Sequence, residues 1–493
     1  MKKLVLTSMM MLITMLSANA EVDPNFHIYI CFGQSNMEGN AQWESQDVGN
    51  VDPRFQMLAT CNFSSPKRTL GNWYTATCPI VSPVGKLGPT DYFGRTMVAN
   101  LPENHKVGVI AVAMGGSPIE MFDKDLYEQK YQDNYNEWWA QIARNYYGEN
   151  PYGRIIEMAK KAQEVGVIKG ILLHQGESNN GDEKWPGMVK KIYKDMLHDL
   201  GLRASDVHIF VGETEYENMG GGCSWHNHVV AKIPEVIPTG HVVSAEGIPG
   251  NGTDPWHFSA AGYRTFGKRY AEAVLDVMNN PDAYTKNYTI DERLTGKMTD
   301  LTGKIFAIVN EAEQKAFYCE LDQLLGYGDF KSAFDVSNEG YQFKVAKGSG
   351  GVKLKVVTPD GDDYQLGEAT GYLNTQVIDG NCCFISSNMN GQNGQDLNKG
   401  AVWDLQYEEG KGWSIKNVGT GKYLKDASHP AMFDEPTYFT LCTLKEATTG
   451  IEDVRCKKEG IRSGAYTLDG RKVNPESLRP GLYIINGKKI VIK

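Results

Sequence analysis

Short apolar segments alternate with segments of helical periodicity between Asn25 and about Asn280. Strands that alternate with helices form a parallel sheet, because each helical crossover returns the chain to the same end of the sheet and covers one of its faces. The alternation therefore predicts a doubly wound, flavodoxin-like α/β domain over residues 21–283. Its five strand candidates are His27–Phe32, Val107–Ala113, Ile168–Leu173, Val207–Val211 and His241–Ala245.

Apolar residues recur at helical spacing between these strands. Thr90-Asp91 is expected to cap a helix that runs through Leu101, and Ser259 is expected to cap the last helix of the domain. Two further helices are predicted over Tyr152–Val165 and Met188–Leu200.

A serine follows a glycine turn at the end of the first strand candidate, in Gly33-Gln34-Ser35-Asn36-Met37. Ligands of open α/β sheets bind at the carboxyl edge of the strands, so Ser35 is a candidate nucleophile. Alone, this pattern is more often an ordinary turn. Because all parallel strands end at one edge, we expect Ser35 to meet the polar loops Gly115-Gly116-Ser117, His174-Gln175-Gly176-Glu177-Ser178-Asn179, Gly212-Glu213-Thr214 and Asp254-Pro255-Trp256-His257.

Asp254 and His257 have the chemistry that a nucleophilic serine requires. Histidine is the side chain best suited to act as a general base near neutral pH, and a carboxylate on its far nitrogen fixes its tautomer. The alternative is that Asp254 caps a turn and His257 packs at a helix start. The serine turn at the same sheet edge favours the catalytic interpretation.

Acyl transfer also needs hydrogen-bond donors for the oxyanion. The backbone N–H groups of Ser35 and Gly116 are the main candidates, and the side-chain amide of Gln175 or of Asn179 is a third. An ordinary strand-to-loop turn at Gly115-Gly116 is the alternative, while a phosphate-binding loop is disfavoured because no Gly-x-Gly-x-x-Gly or Walker spacing is present.

The four segments 33–37, 115–117, 174–179 and 254–258 resemble the ordered sequence blocks of SGNH-type hydrolases, in the branch of sialate O-acetylesterases and family-six acetylxylan esterases. The resemblance covers about the first 280 residues. It implies Ser35 as nucleophile, His257 as base and Asp254 as orienting acid, with oxyanion donors at Ser35, Gly116 and a side chain of the third block. The wider superfamily has Gly-Asp-Ser in block one and Asn in block three, so here Gln175 takes the Asn role, with Asn179 as the alternative.

Other polar and aromatic residues near these blocks have weaker signals. Glu177 is expected to hold its loop rather than to touch substrate. Trp256, like Trp225 and Trp43, could stack on a sugar ring or simply pack. His226 and His228 are close in sequence but lack a third ligand at good spacing, so no metal and no organic cofactor is predicted.

The first 20 residues have the pattern of a secretory signal peptide: a basic start, an apolar run from Leu4 to Leu16 and an Ala18-Asn19-Ala20 cleavage site. We expect cleavage after Ala20 and a secreted or cell-surface protein. No later segment is long and apolar enough to predict a membrane span. The formal net charge of −10 argues against a nucleic-acid partner. Cys61 and Cys78, which flank a loop, are the best candidates for a disulfide.

The second half of the chain changes to short strand patterns separated by Gly, Asn and Asp turns. Pro281–Thr299 is polar and is predicted to be a linker, and residues 300–445 a mainly β domain. A weak repeat in this domain, followed at its last copy by Gly421-Lys422-Tyr423-Leu424, resembles β-trefoil lectin-like modules, with a generic β-sandwich as the alternative. Residues 450–493 resemble the short β-rich sorting domain of type-nine secretion substrates, with a small β-hairpin appendage as the alternative.

The sequence therefore predicts a secreted serine esterase that removes O-acetyl groups from acetylated carbohydrate, either acetylxylan or sialate, in polysaccharide degradation. One alternative is an esterase that acts on lipid or aryl esters. Another is a carbohydrate-binding surface protein whose esterase site is vestigial. The sequence does not determine the sugar, the hydroxyl position or the oligomeric state.

Overall fold

The structure is a computed structural model that describes residues 22–281, 288–320, 323–335, 338–359, 361–366, 369–375, 382–387, 397–427 and 430–446. It also describes the strand segments 465–467, 472–473, 481–485 and 488–492. The predicted signal peptide therefore lies outside the described residues. The chain divides into two compact units, one ending at Lys445 and the other comprising Glu446–Lys493.

A parallel sheet with one antiparallel edge strand forms the first part of the larger unit. Its strands are β1 (Phe26–Gly33), β2 (Phe55–Leu58), β3 (Trp73–Thr75), β4 (Lys106–Ala113), β5 (Val167–His174), β6 (His208–Gly212) and β7 (Gly240–Val243). Their order across the sheet is β3-β2-β4-β1-β5-β6-β7. The five predicted strands thus lie in the order second, first, third, fourth, fifth, and the predicted flavodoxin-like arrangement is confirmed.

Helices cover both faces of this sheet. They are α1 (Ser35–Glu38), α2 (Ser45–Val48), α3 (Pro89–Asn100), α4 (Tyr127–Asp133), α5 (Trp138–Tyr147), α6 (Pro151–Gln163), α7 (Trp185–Leu200), α8 (Asn227–Val230), α9 (Ile233–Val236) and α10 (Ala260–Asn279). Short 3₁₀ helices in the same region span Ile119–Phe122, Glu177–Asn179, Glu217–Met219 and Ser224–His226.

Strand β1 is the centre of the sheet, and all eight of its residues are buried. Its alternate side chains enter two separate cores, because successive residues of a strand point to opposite faces. Ile28, Ile30 and Phe32 pack with helices α5, α6 and α7, whereas Tyr29 and Cys31 pack with α3 and α10. A strand buried on both faces reads as a continuous apolar run, which is why the sequence predicts it.

Helix starts agree with the sequence at one of the two predicted caps. The Ser259 side chain accepts a hydrogen bond of 3.1 Å from the Gly262 N–H and caps α10, as predicted. The prediction that Thr90-Asp91 caps a helix was wrong, because α3 begins earlier, at Pro89, and its N-cap is Gly88. Proline is favoured in the first helical turn, where its missing N–H is not needed.

The second part of the larger unit is a mainly antiparallel β domain, as predicted. Short helical turns interrupt it at Met298–Leu301, Phe330–Ala333 and Leu397–Gly400. Its strands are β8 (Tyr288–Leu294), β9 (Ile305–Asn310), β10 (Lys315–Cys319), β11 (Leu325–Asp329), β12 (Gln342–Gly348), β13 (Gly351–Val357), β14 (Gln365–Leu366), β15 (Ala369–Thr375), β16 (Cys383–Ser387), β17 (Trp403–Glu408), β18 (Gly412–Asn417), β19 (Tyr423–Leu424), β20 (Met432–Phe433) and β21 (Tyr438–Glu446).

The three segments of the weak sequence repeat are residues 306–310, 341–345 and 413–417, and apart from Tyr341 they lie on strands β9, β12 and β18. The choice between β-trefoil and β-sandwich stays a prediction. The predicted linker Pro281–Thr299 was wrong in part, because it contains β8, which pairs with β21. Most residues of β8 are exposed or half-buried, so the strand lacks the alternation of apolar and polar residues that marks a strand in sequence.

The predicted Cys61–Cys78 disulfide is not formed, and both residues are free thiols. Cys61 is buried, and Cys78 Sγ donates to Asp91 Oδ2 over 3.4 Å. Within the part of the chain that the structure describes, no helix has the length and apolar character needed to cross a bilayer.

The smaller unit contains β22 (Ala465–Thr467), β23 (Lys472–Val473), β24 (Gly481–Ile485) and β25 (Lys488–Ile492). These strands form an antiparallel sheet in the order β23-β22-β24-β25. The predicted sorting function of this tail stays a prediction.

Candidate active site

The turn that carries Ser35 is packed directly against the end of the neighbouring strand β5. Gly33 has φ +144°, and a Cβ atom there would lie 2.0 Å from the carbonyl oxygen of His174. The N–H of Gln34 donates to this same carbonyl over 3.0 Å. Glycine is therefore required for the close approach. The turn ends β1 and starts α1, so that Ser35 is the first residue of a helical turn at the carboxyl edge of the sheet.

Ser35, His257 and Asp254 are in mutual hydrogen-bond contact, although Ser35 and His257 are 222 positions apart. The distance from His257 Nε2 to Ser35 Oγ is 2.9 Å. His257 Nδ1 lies 3.0 Å from each carboxylate oxygen of Asp254. A carboxylate only accepts hydrogen bonds, so Nδ1 carries the proton and Nε2 is free to accept the hydroxyl proton of Ser35.

The Asp254 carboxylate is fixed by its own loop. Its Oδ1 accepts the N–H groups of Trp256, at 2.9 Å, and of His257, at 3.0 Å. Its Oδ2 accepts Asn251 Nδ2 at 2.7 Å. Partial burial opposes ionisation, but the hydrogen bonds from Asn251, His257 and Trp256 outweigh it and lower the pKa of Asp254 to about 2. Asp254 is therefore ionised at any pH at which an imidazole can act as a base.

The backbone N–H groups predicted to bind an oxyanion lie at the same edge. Neither the N–H of Ser35 nor that of Gly116 has an acceptor among the described residues. Gly116 has φ +82°, a conformation that favours glycine. The preceding N–H, that of Gly115, is not available because it donates to Glu38 Oε2 over 2.9 Å.

Gln175 does not have the position expected of an oxyanion donor. Its side chain is completely buried, and its Nε2 donates to Asn179 Oδ1 at 2.7 Å, with Gln34 Oε1 at 3.2 Å and Ser117 O at 3.3 Å also in range. Its Oε1 accepts the indole N–H of Trp185 at 2.5 Å. Both amide hydrogens therefore have acceptors within the protein, and we correct the predicted role of Gln175 to that of a loop support.

Asn179, the alternative to Gln175, also has hydrogen-bond partners within the protein. Its Oδ1 accepts the Ile119 N–H at 2.9 Å, and its Nδ2 donates to Glu120 Oε2 at 3.2 Å. Gln34, for which the sequence predicts no role, has its Oε1 3.2–3.3 Å from the N–H groups of Gly176 and Ser178. Its Nε2 has no partner among the described residues, and the side chain lines the cleft beside Ser35.

Asn36 and Glu177 connect three of the polar loops beneath the nucleophile. Asn36 Nδ2 donates to Glu177 Oε1 at 2.5 Å and to the Trp256 carbonyl at 2.8 Å. Asn36 Oδ1 accepts the Tyr263 hydroxyl at 2.6 Å. Asn36 is fully buried, and the partner of its amide could not be predicted from the sequence because Glu177 is 141 positions away.

An open cleft of about 740 Å³ surrounds Ser35 and His257. This volume is within the range of roughly 300–1,000 Å³ that small-molecule sites occupy. Three tryptophans line it: Trp138 and Trp256 have exposed fractions of 57% and 48%, whereas Trp139 is buried. Trp225 is 69% exposed but does not line the cleft, and Trp43 packs against a core. The sequence does not predict that Trp138 lies in the cleft.

The residues considered for metal binding have other partners. His226 Nδ1 accepts the Gly181 N–H at 3.2 Å, while His228 Nε2 lies 2.8 Å from Glu183 Oε1. Among the described residues one acidic group has the spacing of a cation site, and the Lys191 ammonium lies 2.7–2.9 Å from all three of its carboxylates, which belong to Asp123, Asp125 and Asp195.

Comparison with known proteins was made on sequence and on structure. A family described as carbohydrate esterase, sialic acid-specific acetylesterase (SASA), matches residues 25–276. Three solved structures are similar at low identity. A protein from Arabidopsis thaliana is 20% identical, covers 52% of this chain and 99% of its own, and has a TM-score of 0.38.

NanS is 16% identical, covers 53% of this chain and 100% of its own, and has a TM-score of 0.40. A carbohydrate acetylesterase from Xanthomonas citri is 14% identical, covers 85% of this chain and 80% of its own, and has a TM-score of 0.36.

Proposed function

The chain belongs to the SASA family of carbohydrate esterases, and we propose that it removes O-acetyl groups from acetylated glycans by forming an acetyl-enzyme on Ser35. The observation that carries the proposal is the contact of His257 with both other residues: Ser35 Oγ lies 2.9 Å from its Nε2 and the Asp254 carboxylate lies 3.0 Å from its Nδ1. A base that touches a hydroxyl on one side and a carboxylate on the other is what nucleophilic catalysis by serine requires.

In the proposed mechanism His257 Nε2 removes the Ser35 hydroxyl proton as Oγ attacks the acetyl carbonyl carbon. The carbonyl oxygen becomes an oxyanion that accepts the N–H groups of Ser35 and Gly116. The C–O bond to the sugar then breaks, and the imidazolium returns its proton to the sugar oxygen. Water, deprotonated by His257, releases acetate and restores Ser35. Asp254 remains ionised and stabilises the imidazolium throughout.

The walls of the cleft support a sugar as the leaving group. Trp138 and Trp256 line the cleft, and exposed fractions of 57% and 48% leave much of each side chain free for contact. Aromatic rings bury large areas at small conformational cost, and an indole N–H adds a hydrogen-bond donor for a hydroxyl. Acetylxylan and O-acetylated sialate are the two substrates that we propose to test.

The test measures acetate released from acetylated xylan and from O-acetylated sialoglycans by the wild type and by Ser35→Ala. The matched control is Ser64→Ala, which removes an exposed hydroxyl outside the cleft. We expect release that Ser64→Ala retains and Ser35→Ala loses by at least about 1,000-fold. Equal release by wild type and Ser35→Ala would contradict the nucleophile, and no release from either glycan would contradict the deacetylase function.

A panel of acyl esters of increasing chain length addresses the alternative of a lipid or aryl esterase. The carbohydrate esterase should prefer acetyl esters, whereas a lipid esterase should prefer longer acyl chains. A glycan-binding protein with a vestigial site would retain glycan and release no acetate.

We further propose that the protein is exported, on the basis of the residues 1–20 and of the tail. The experiment is cell fractionation of the full chain, of a chain without residues 450–493 and of a chain without residues 2–20. If the protein is exported by residues 1–20, the chain without residues 2–20 should stay in the cytosol. If the tail has a sorting role, the chain without residues 450–493 should no longer be released from the cell envelope.

A further inference from the structure

Glu38 is a buried carboxyl group in the helical turn that carries the nucleophile. It follows Ser35 by three residues in α1, and its exposed fraction is 6%. Its Oε2 accepts the N–H of Gly115 at 2.9 Å, and its Oε1 lies 3.0 Å from the Ser82 hydroxyl oxygen. Each carboxyl oxygen therefore has one partner, and one of the two partners belongs to the loop that presents the Gly116 N–H.

The nucleophile and this loop meet at Gly115. A Cβ atom on Gly115 would lie 3.1 Å from Glu38 Oε2, 3.5 Å from Trp138 Nε1 and 3.7 Å from Ser35 Cβ. The Glu38 carboxyl group is thus close to the nucleophile as well as one residue away from the proposed oxyanion donor. An oxyanion hole works because its donors are fixed before the charge develops. The hydrogen bond from the Gly115 N–H to Glu38 restrains the loop and thereby helps to fix the neighbouring Gly116 N–H.

We propose that Glu38 is a positioning residue that fixes the Gly115-Gly116 loop against the Ser35 turn, and that its neutral form is the active one. The inference rests on the proposed function. A neutral carboxyl group still accepts the Gly115 N–H, and it donates its proton to Ser82 Oγ. Ser82 Oγ also accepts the Gly85 N–H at 3.1 Å, and a hydroxyl oxygen has two acceptor positions for these bonds.

The neutral form avoids a charge conflict. An ionised Glu38 would place a negative charge one residue away from the Gly116 N–H that binds the oxyanion, and repulsion between the two negative charges opposes formation of the oxyanion. Burial raises the pKa of Glu38 to about 7, although the bonds from Ser82 and Gly115 act in the opposite direction.

Among the described residues, the groups around Glu38 do not supply a compensating positive charge in direct contact with it. Burial and a charge on Glu38 raise the pKa of Cys61, Tyr146 and Tyr147, which lie on its protein side, whereas the Arg154 charge lowers the pKa of Cys61 and Tyr147. The charged and titratable side chains that line the cleft with Glu38 are those of Lys86, Glu137, Glu177 and His257.

The test compares the pH dependence of kcat/KM for wild type, Glu38→Gln and Glu38→Ala with the acetyl ester that the wild type hydrolyses best. The amide introduced by Glu38→Gln reproduces the neutral carboxyl group, since its oxygen accepts the Gly115 N–H and its N–H donates to Ser82. The matched control is Glu128→Gln, which neutralises an exposed glutamate on α4 outside the cleft.

We expect wild-type kcat/KM to fall above about pH 7, approaching tenfold for each pH unit. Glu38→Gln should remain within about threefold of wild type at pH 6 and should not show this fall, whereas Glu38→Ala should lose roughly 100-fold or more in kcat at every pH. Glu128→Gln should have the wild-type profile. A Glu38→Gln variant that shows the same fall as wild type, or that is as inactive as Glu38→Ala, would overturn the proposal.

A second measurement does not depend on activity, and it keeps failure of this inference distinct from failure of the proposed function. A carboxyl group whose folded-state pKa is raised contributes stability that is complete below about pH 4.5 and is lost as the pH rises through 7. The Tm of Glu38→Gln should therefore rise relative to wild type between these two pH values and then level off. A Tm difference that is independent of pH would overturn the assignment of the neutral form, even if no acetate were released by any variant.

Discussion

Replacing Asp254 with asparagine should weaken His257 as a base by removing the carboxylate charge beside it. Oδ1 of Asp254 accepts two backbone N–H groups, at 2.9 and 3.0 Å, so the amide oxygen of an asparagine will occupy that position. The amide nitrogen then takes the place of Oδ2, 3.0 Å from His257 Nδ1. An N–H cannot accept from Nδ1–H or from the Asn251 amide, which donates to Oδ2 at 2.7 Å. Nδ1 therefore keeps only the amide oxygen as an acceptor, at 3.0 Å, and the imidazolium loses its neighbouring negative charge.

The consequence follows from the geometry at the nucleophile. Nε2 lies 2.9 Å from Ser35 Oγ and makes the ring positively charged when it takes the hydroxyl proton, and a neutral amide stabilises that charge less than a carboxylate does. The corresponding Asp→Asn change in serine proteases lowers kcat about 10,000-fold, and we expect a loss of the same order here. At about 1.36 kcal/mol for each factor of ten, this is about 5.4 kcal/mol in the activation free energy.

The assay is acetate release by Asp254→Asn at pH 7, with the Tm measured in parallel. Some loss of Tm is expected, because a carboxylate whose pKa is lowered contributes stability that is present above about pH 4 and is lost as the pH falls through 2. The variant should nevertheless be folded at 25 °C. A folded Asp254→Asn enzyme that retains more than about a tenth of wild-type kcat would refute the assignment of Asp254 as the acid that orients His257.

Two further variants test the turn and the cleft wall. The Gly33→Ala protein should lose about 3 kcal/mol or more of folding stability, or ~6–12 °C in Tm, because the new methyl group would lie 2.0 Å from the His174 carbonyl oxygen. The control is Gly49→Ala, which should be nearly neutral because no atom lies within 4 Å of its Cβ position. Trp138→Ala should raise KM about tenfold with little change in kcat if this indole stacks on the sugar. Trp225 lies outside the cleft, so Trp225→Ala should leave KM unchanged. Equal effects of the two substitutions on KM would contradict stacking at Trp138.

The features that were predicted correctly from the sequence depend on local patterns. The buried strands read as apolar runs, and the polar loops follow them directly, so the convergence of Ser35, Asp254 and His257 at one sheet edge could be predicted from the topology of parallel sheets. Strand β2 and the edge strand β3 were missed because they comprise four and three residues, too few to show a period.

The features that could not be predicted depend on how the loops pack against one another and against the helices. Gln175 has a residue type suited to an oxyanion hole, but Trp185 and Asn179 occupy its amide, and only the packing of the loop against α7 brings them there. Glu38 contacts Gly115 because β1 and β4 are paired in register, so that the loops after them lie side by side. Neither contact leaves a signal in the sequence around the residue itself.

The central claim is that Ser35 carries the acetyl group during turnover, and it can be tested by peptide mass spectrometry. The enzyme would be mixed with an excess of an activated acetyl ester, for which formation of the acetyl-enzyme is fast, and quenched in acid within the burst phase. We predict an acetyl group on the peptide that contains Ser35 in the wild type and none in Ser35→Ala, together with loss of acetate release. Acetylation of a different residue on the reaction time scale, or acetate release by Ser35→Ala at the wild-type rate, would contradict the mechanism.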